Sequence, residues 1–199
     1  MQIDGFSIVF FAAAIPLVLA VVAYGIVQNQ KRTEAWHALA RQSGLSSSGS
    51  WPTMSMNGEL AGSTVHLRQW TTRSSGKNSH THYHVRAEAG VRRNFGDLVV
   101  YQQTWMSSIG AAVFGMQDLE VGEPDFDGKF VVKASDPDLA RRLLDPATRR
   151  ALQDTFGMLG DVGIEGNCVV YQASTSISPE RAIEILLGLS TCAATLADG

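Results

Sequence analysis

An uncharged apolar stretch near the N-terminus constrains this chain more than any other feature. It reads GFSIVFFAAAIPLVLAVVAYGIVQNQ, and no charged residue lies between Asp4 and Lys31. Its apolar part, Phe6 to Val27, is about 22 residues long, or roughly 33 Å as an α-helix, whereas the hydrocarbon core of a bilayer is ~30 Å thick. We therefore predict a transmembrane anchor over residues 1–30.

A cleaved signal peptide is the main alternative to an anchor. Such a peptide has a basic n-region, an apolar core of about 7–15 residues and a small-residue cleavage site. Here the segment from Met1 to Asp4 carries an acid and no basic side chain, and the apolar run is too long. These features favour an anchor that is retained. Because no charge lies inside the span, it offers no ion path or proton relay.

The charges that flank the span predict its orientation. Lys31 and Arg32 follow it directly, and an excess of Lys and Arg marks the cytoplasmic side of a membrane. We expect the N-terminus outside and residues 31–199 in the cytoplasm. Cys168 and Cys192 form no CxxC pair and no disulfide framework, which agrees with a reducing compartment. A single disulfide in a periplasmic domain is the alternative.

Five residues are candidates for contact with lipid or with a partner. Phe10 and Phe11 lie on the span, and Pro16 lies in its middle, where membrane helices tolerate proline. Trp36 follows the span and is either an interfacial anchor or a core contact of the domain. Trp105 opens the uncharged stretch WMSSIGAAVFGMQ, which is too short to span a bilayer and is either a short buried helix or an interfacial segment.

The rest of the chain is long enough for one domain. Removing the span leaves about 170 residues, which can bury a proper core. Residues 31–58 are predicted as a juxtamembrane helix and a turn-rich connector, and residues 59–199 as an α+β cytoplasmic domain. The net charge of −3 argues against a dedicated nucleic-acid binder, which would usually be strongly basic.

Alternating apolar residues and turn signals predict a mostly antiparallel sheet. In the first hairpin, pairing Leu67 with Val85 collects the apolar side chains on one face. A second hairpin is expected to turn at Gly166-Asn167. The predicted strands outside that second hairpin are residues 63–72, 81–89, 98–104 and 130–134, with a short strand after Asp118 and room for one short strand in the connector at residues 44–58.

Three proline-linked caps predict the helices of the domain. Asp136, Asp145 and Ser178 each precede a proline, so each can cap a helix whose first residue is that proline. No strand–helix–strand alternation runs through the chain, and the fold class is therefore α+β, with three to four helices after the anchor. The residues of the last helix that we expect to face the core are Ala182, Ile183, Leu186, Leu187, Leu189 and Ala193.

The histidine-rich strand is the sharpest local feature. His80, His82 and His84 alternate along it, so they share one face at a spacing of about 7 Å, and imidazole is a common zinc ligand. Arg68 and Arg86 share that face and would oppose a dication. An exposed polar sheet face explains the pattern without a metal, so we predict no metal site and keep the three histidines only as weak candidates. A pH-responsive surface is a further hypothesis.

No catalytic or cofactor-binding pattern is present in the sequence. It lacks a P-loop, GxGxxG, HExxH and GxSxG. The acids Glu120, Glu123, Asp125 and Asp127 cluster around a turn, which is more typical of solvated structure than of acid–base catalysis. We therefore predict a chain that is not an enzyme and that has no cofactor.

The segment VGEPDFDGKFVVKASDPDLARRLLDPATRRAL, residues 121–152, resembles an uncharacterised bacterial family of membrane-anchored proteins. That resemblance implies a membrane helix, an α+β domain and residence in the bacterial inner membrane, and it implies no activity, cofactor or catalytic residue. An acid-Pro-x-Phe turn, a Phe-Val-Val strand and two Pro-started helices carry it. The matching residues are Pro124, Phe126, Phe130, Val131, Val132, Asp136, Leu143, Leu144 and Pro146.

An anchor, a compact domain and the absence of a catalytic pattern together favour a non-enzymatic interaction module. We expect a single-pass membrane protein that binds other membrane proteins, as an accessory subunit of a larger complex. The alternative is a small-molecule or lipid-binding sensor domain, which would need an apolar pocket lined from residues 98–116. An enzyme ranks third, because it would need a convergent acid and histidine pocket.

Overall fold

The computed structural model describes residues 5–76, 79–102 and 117–198, except for the side chains of 5–18, 117 and 198. The fold is α+β, as the sequence predicts. The helices are α1 (Gly5–Gln42), α2 (Pro124–Asp127), α3 (Pro137–Leu143), α4 (Pro146–Leu159) and α5 (Pro179–Asp198). The strands are β1 (Ser46–Ser50), β2 (Thr53–Leu60), β3 (Ser63–Arg73), β4 (Thr81–Gly90), β5 (Val99–Gln102), β6 (Gln117–Leu119), β7 (Phe130–Ala134), β8 (Val162–Glu165) and β9 (Cys168–Ala173).

All nine strands belong to one antiparallel sheet in the order β1-β2-β3-β4-β9-β8-β5-β7-β6. One face of the sheet packs against helices: α1 contacts β1 and β2, α5 crosses β3, β4 and β9, and α4 lies against α5 and β8. The main core lies between these two layers. Along β3 and β4 the opposite face is polar, as expected of an antiparallel sheet with one face on the core, whereas on β5 and β9 it carries a second, small apolar cluster of Val99, Tyr101 and Val170.

Helix α1 continues without interruption from the predicted span into the domain. Its C-terminal part is fixed there because Trp36 and Ala40 are fully buried and the Oγ1 of Thr33 accepts a hydrogen bond from the Trp51 N–H at 3.0 Å. Trp36 is therefore a core residue, and its assignment as an interfacial anchor is wrong. In the described part of the chain, no helix combines the length and apolarity needed to cross a membrane. Phe10, Phe11 and Pro16 have side chains outside the described residues.

The predicted connector over residues 44–58 is largely sheet. It forms β1 and most of β2, which pair around a turn at Trp51-Pro52. Met54 and Met56 point into the core, with 1% and 0% of their surface exposed. Because serine, glycine and proline surround these two methionines, the sequence does not show the apolar–polar alternation that is typical of a strand with one buried face.

The β3–β4 hairpin forms as predicted, but its register is shifted. Leu67 lies opposite Ala87 rather than Val85, and Gln69 lies opposite Val85. A shift of two residues keeps every side chain on its predicted face because the period of a strand is two. The other predicted hairpin turns at Gly166-Asn167, as expected.

The predicted helix caps are confirmed. The Asp136 carboxylate accepts the N–H groups of Asp138 and Leu139, each at 3.0 Å, and Asp145 accepts that of Thr148 at 2.8 Å. The Arg93 guanidinium and the Thr148 N–H lower the pKa of the Asp145 carboxyl against the opposing effect of burial, which is the largest single influence on it.

The buried amide of Gln69 joins three parts of the fold. Its Nε2 donates to the Pro52 carbonyl at 3.1 Å, and its Oε1 accepts the Ile177 N–H at 2.9 Å. The turn between β1 and β2 and the loop that leads into α5 therefore meet at this side chain. Both lie at the end of the sheet nearest to Thr33 of α1.

Candidate functional site

An open groove of about 650 Å³ lies between α4 and α5. The two helices run antiparallel, because the Arg181 side chain near the start of α5 donates to the Leu159 carbonyl at the end of α4 at 3.3 Å. Small residues from both helices line the groove, among them Ala151 on α4 and Gly188 on α5.

Two large apolar side chains stand exposed on the walls of this groove. Met158 on α4 is 66% exposed and Leu187 on α5 is 46% exposed. Among the described residues after Val27, no other large hydrophobic side chain is exposed to this degree. Single exposed apolar residues are ordinary, but two that line one concave site make it a candidate for binding.

The prediction that Leu187 faces the core is wrong, because its side chain is exposed. The spacing of apolar residues along α5 is right for Leu186 and Leu189, which are fully buried. Leu187 lies beyond the edge of α4, which approaches so closely that a Cβ on Gly188 would lie 2.9 Å from Leu159 Cδ1. The apolar stripe is thus wider than the helix–sheet contact, and the excess lines the groove.

Two hydroxyl groups that line the groove already have hydrogen-bond partners. The hydroxyls of Thr155 and Thr191 already donate to the carbonyls of Ala151 and Leu187 within their own helices, at 2.7 and 2.9 Å. A ligand can therefore cover these side chains without having to satisfy them.

Charges stand along one edge of the groove. Arg150 and Asp154, both on α4, form no ion pair with any residue that the structure describes. Glu184 on α5 is already held by Arg181 at 3.0 Å. One positive and one negative side chain, a single helical turn apart, are thus available to a partner.

The thiols are buried apart from each other. Burial raises the pKa of Cys192 to about 11, so the thiol in the groove stays protonated at neutral pH and is no nucleophile. Cys168 is half-buried on the opposite face of the sheet, and burial raises its pKa as well. Both thiols are free, and the sheet lies between them, so the alternative of a disulfide between them is wrong.

The histidine-rich strand lies on the open face of the sheet. His80 and His82 are exposed. The His84 Nε2 lies 2.9 Å from Thr72 Oγ1, and its ring stacks on Trp70 with centroids 5.4 Å apart. No three His, Cys, Asp or Glu side chains in the described ranges are arranged to hold a metal ion.

The acidic turn has a structural role in the described residues. The Asp127 carboxylate accepts the N–H groups of Val121, Gly122 and Glu123 at 2.9–3.1 Å. Glu123 in turn accepts from the Nε of Arg149 at 2.5 Å. The predicted acid-Pro-x-Phe turn is therefore a one-turn helix, α2, with a carboxylate that closes the loop in front of it.

Replacing Asp127 by asparagine should destabilise this loop. The amide keeps one acceptor oxygen and loses the charge, so charge-assisted hydrogen bonds are lost and the cost should be about 1–3 kcal/mol. Urea unfolding of the full chain in detergent, followed by circular dichroism, measures the effect. The neighbouring change Asp125→Asn is the control, and equal stability of the two variants would contradict the assigned role.

The region proposed for a ligand pocket is packed where the structure describes it. Leu98, Val99, Val100, Tyr101 and Gln102 are all buried. Residues 103–116, which include Trp105, lie outside the described residues. The sequence contains one indication of the groove between α4 and α5. The apolar face of α5 is wider than packing against the sheet requires.

None of the protein-family models matches this chain, and neither does any curated protein. Among solved structures, the chain is similar to the crystal structure of the mycobacterial trehalose monomycolate transport factor A, TtfA. The similarity covers 83% of this chain and 92% of that one, with 10% sequence identity and a TM-score of 0.48. A likeness this weak says nothing about what the present chain binds.

Proposed function

We propose that this chain is a membrane-anchored, non-enzymatic interaction module that binds a protein partner in the groove between α4 and α5. The observation that carries the proposal is the meeting of Met158 and Leu187 in one open groove. In this role the chain is an accessory subunit of a larger membrane complex.

The exposed apolar surface of α1 supports the anchor. Large side chains are exposed on all sides of its first fully described turns, so this part of the helix does not pack on the domain. Burying them in lipid removes that apolar area from water. Lys31 and Arg32 after this segment support an orientation with the domain on the cytoplasmic side of a bacterial inner membrane. The exposed apolar side chains are Leu19, Val21, Val22, Tyr24, Ile26 and Val27.

An amphipathic helix is the occupant that fits the groove best. From Ala147 to Met158 the groove follows α4 for roughly 16 Å, which is about three turns of a third helix laid beside it. Small residues in the groove allow close approach, and an apolar face with anchors three and four residues apart would cover Met158 and Leu187. An acid opposite Arg150 and a base opposite Asp154 would complete the match.

The alternative function, binding of a lipid or a small molecule, would use the same groove between α4 and α5. Its apolar lining could hold an acyl chain, but an acyl chain leaves Arg150 and Asp154 without partners. The protein helix therefore ranks first, and an acyl chain is an outcome that the test must distinguish.

The test is quantitative co-purification of the full chain from its own membranes in mild detergent. Leu187→Glu puts a charge where an apolar contact is expected and should reduce the recovered partner at least tenfold relative to the chain, since a lost anchor of about 2 kcal/mol or more is typical of an interface hot spot. Gln153→Glu adds the same charge on α4 outside the groove and should leave recovery unchanged.

Two outcomes would overturn this proposal. One is a chain that is recovered without any protein in a fixed ratio. The other is a Leu187→Glu variant that keeps its partner while losing only bound lipid detected by mass spectrometry, which would assign the groove to an acyl chain.

A further inference from the structure

One hairpin of this acidic chain contains a single acid, Glu88, near the end of its second strand. Between Glu59 and Glu88 the sequence holds four Lys and Arg residues and four of the five histidines. The other twelve Lys and Arg share the remaining sequence with all 19 Asp and Glu. This segregation of charge coincides with the hairpin of β3 and β4.

The end of this hairpin projects beyond the sheet. The pairing of β3 with β2 ends at Gln69, opposite Met54, and the pairing of β4 with β9 ends at Val85, opposite Ala173. Residues 70–73 and 81–84 therefore pair only with each other among the described residues. These four-residue arms extend the ribbon by roughly 13 Å before the connecting loop. We call the described residues of this end, 70–76 and 79–84, the basic ribbon.

The basic ribbon projects at the end of the sheet where the turn between β1 and β2 meets α1. Gln69, the last residue before the ribbon, is bonded to Pro52 in that turn. The Arg32 guanidinium lies 5.1 Å from the ring of Trp51 in the same turn, and Trp51 lines one cavity with Ile26 of α1. The ribbon thus extends past the turn toward the apolar part of α1.

Charge is available on the ribbon and at its base. Arg73 is exposed, and among the described residues its side chain donates only to the hydroxyl of Ser79, at 2.7 Å. Arg68 is exposed at the base, with its guanidinium 5.6 Å from the ring of Trp70.

Arg86, beyond the ribbon, is neutralised. Glu88 and Glu165 each bind its guanidinium at 2.6 Å. Among the described residues of this hairpin, arginines without an ion pair are therefore confined to its projecting end and to Arg68 at the base.

We propose that the basic ribbon binds the anionic headgroups of the leaflet next to the domain. The inference rests on the proposed anchor, because α1 in a bilayer would place the ribbon at headgroup level. At this level, lipid phosphate groups can bind exposed arginines such as Arg73. Tryptophan side chains such as Trp70 are enriched at the interface between membrane and water. A nucleic acid would need the same charge, but it would not need the ribbon to project beside a membrane helix.

Hydrogen–deuterium exchange of the full chain in lipid nanodiscs tests this. Discs of phosphatidylcholine alone are compared with discs of equal parts phosphatidylcholine and phosphatidylglycerol. Exchange of peptides from the ribbon should be several-fold slower in the anionic discs, and added salt should remove the difference. The double variant Arg68→Glu, Arg73→Glu should also remove it.

A matched control separates local contact from net charge. Arg92→Glu with Arg141→Glu makes the same charge change at exposed sites away from the ribbon and should leave the lipid dependence intact. Equal ribbon exchange in both kinds of disc would overturn the proposal. If the wild-type chain then binds an oligonucleotide and the ribbon variant does not, the ribbon is a nucleic-acid site instead.

Failure of the anchor would give a different result from failure of the ribbon. A chain that does not co-elute with discs of either composition refutes the anchor on which the inference rests. If the chain co-elutes with both kinds of disc and ribbon exchange is the same in both, only the proposed binding of headgroups by the ribbon is refuted. Thermal unfolding by circular dichroism confirms that each variant is folded before it is compared.

Discussion

The change Gly163→Ala should cost at least about 3 kcal/mol of folding free energy, which is the upper end of the usual penalty for overpacking. A Cβ on Gly163 would lie 2.2 Å from the carbonyl oxygen of Val100 on β5. Because that atom belongs to the backbone, no side-chain rotation relieves the clash. The pairing of β8 with β5 is the one link that joins β5, β7 and β6 to the rest of the described sheet, so the substitution should separate the sheet at this link.

Gly157→Ala is the matched control for this prediction. Gly157 lies inside α4, where an added Cβ meets no atom within 4 Å. Alanine is the better helix former, so the same chemical change should be stabilising by about 0.5–1 kcal/mol. Urea unfolding of both variants in detergent gives the two values. Similar stability of the Gly163→Ala chain and the wild type would show that the packing of β8 on β5 is described incorrectly.

Trp36→Ala should have the second largest effect, a loss of about 3–5 kcal/mol. Trp36 is fully buried on α1 and belongs to the main core cluster. Its removal leaves a cavity where α1 joins the domain, so exchange of amide hydrogens in residues 33–42 should speed up together with the loss of stability. Thermal unfolding and hydrogen exchange of the full chain measure both.

Two companion variants sharpen this prediction. Trp70→Ala deletes the same side chain from a half-exposed site, where it stacks on His84, and should cost well under half as much. Trp36→Phe keeps most of the packing and removes an indole N–H that is buried with no partner in the described residues. It should therefore cost far less than Trp36→Ala, and equal losses for the two would contradict a packing role for this side chain.

Local signals account for most of the fold that sequence reasoning predicted. Asp136 and Asp145 act through atoms two or three residues away, and both cap the helices expected of them. The register of β3 on β4 depends on how the loop at residues 74–80 closes and on which side chains fill the core. Matching apolar partners, such as Leu67 with Val85, therefore predicts the wrong register, although it predicts the right faces.

The candidate groove depends on a relation between distant parts of the chain. Leu187 carries the same apolar signal as Leu186, and only the position of α4 decides which of the two is covered. The basic ribbon differs in this respect, because its lack of acids can be read from the sequence. Its projection past β2 and β9 follows only from the registers of those strands.

The central claim is that α1 holds this domain at a membrane with residues 31–199 on the cytoplasmic side. Washing membranes that contain the full chain with alkaline carbonate, and then treating intact spheroplasts and inverted vesicles with protease, tests it most directly. We predict that the chain stays in the carbonate-washed membranes and that its domain is digested only in inverted vesicles. Release of the chain by carbonate would contradict the anchor, and digestion in intact spheroplasts would contradict the orientation.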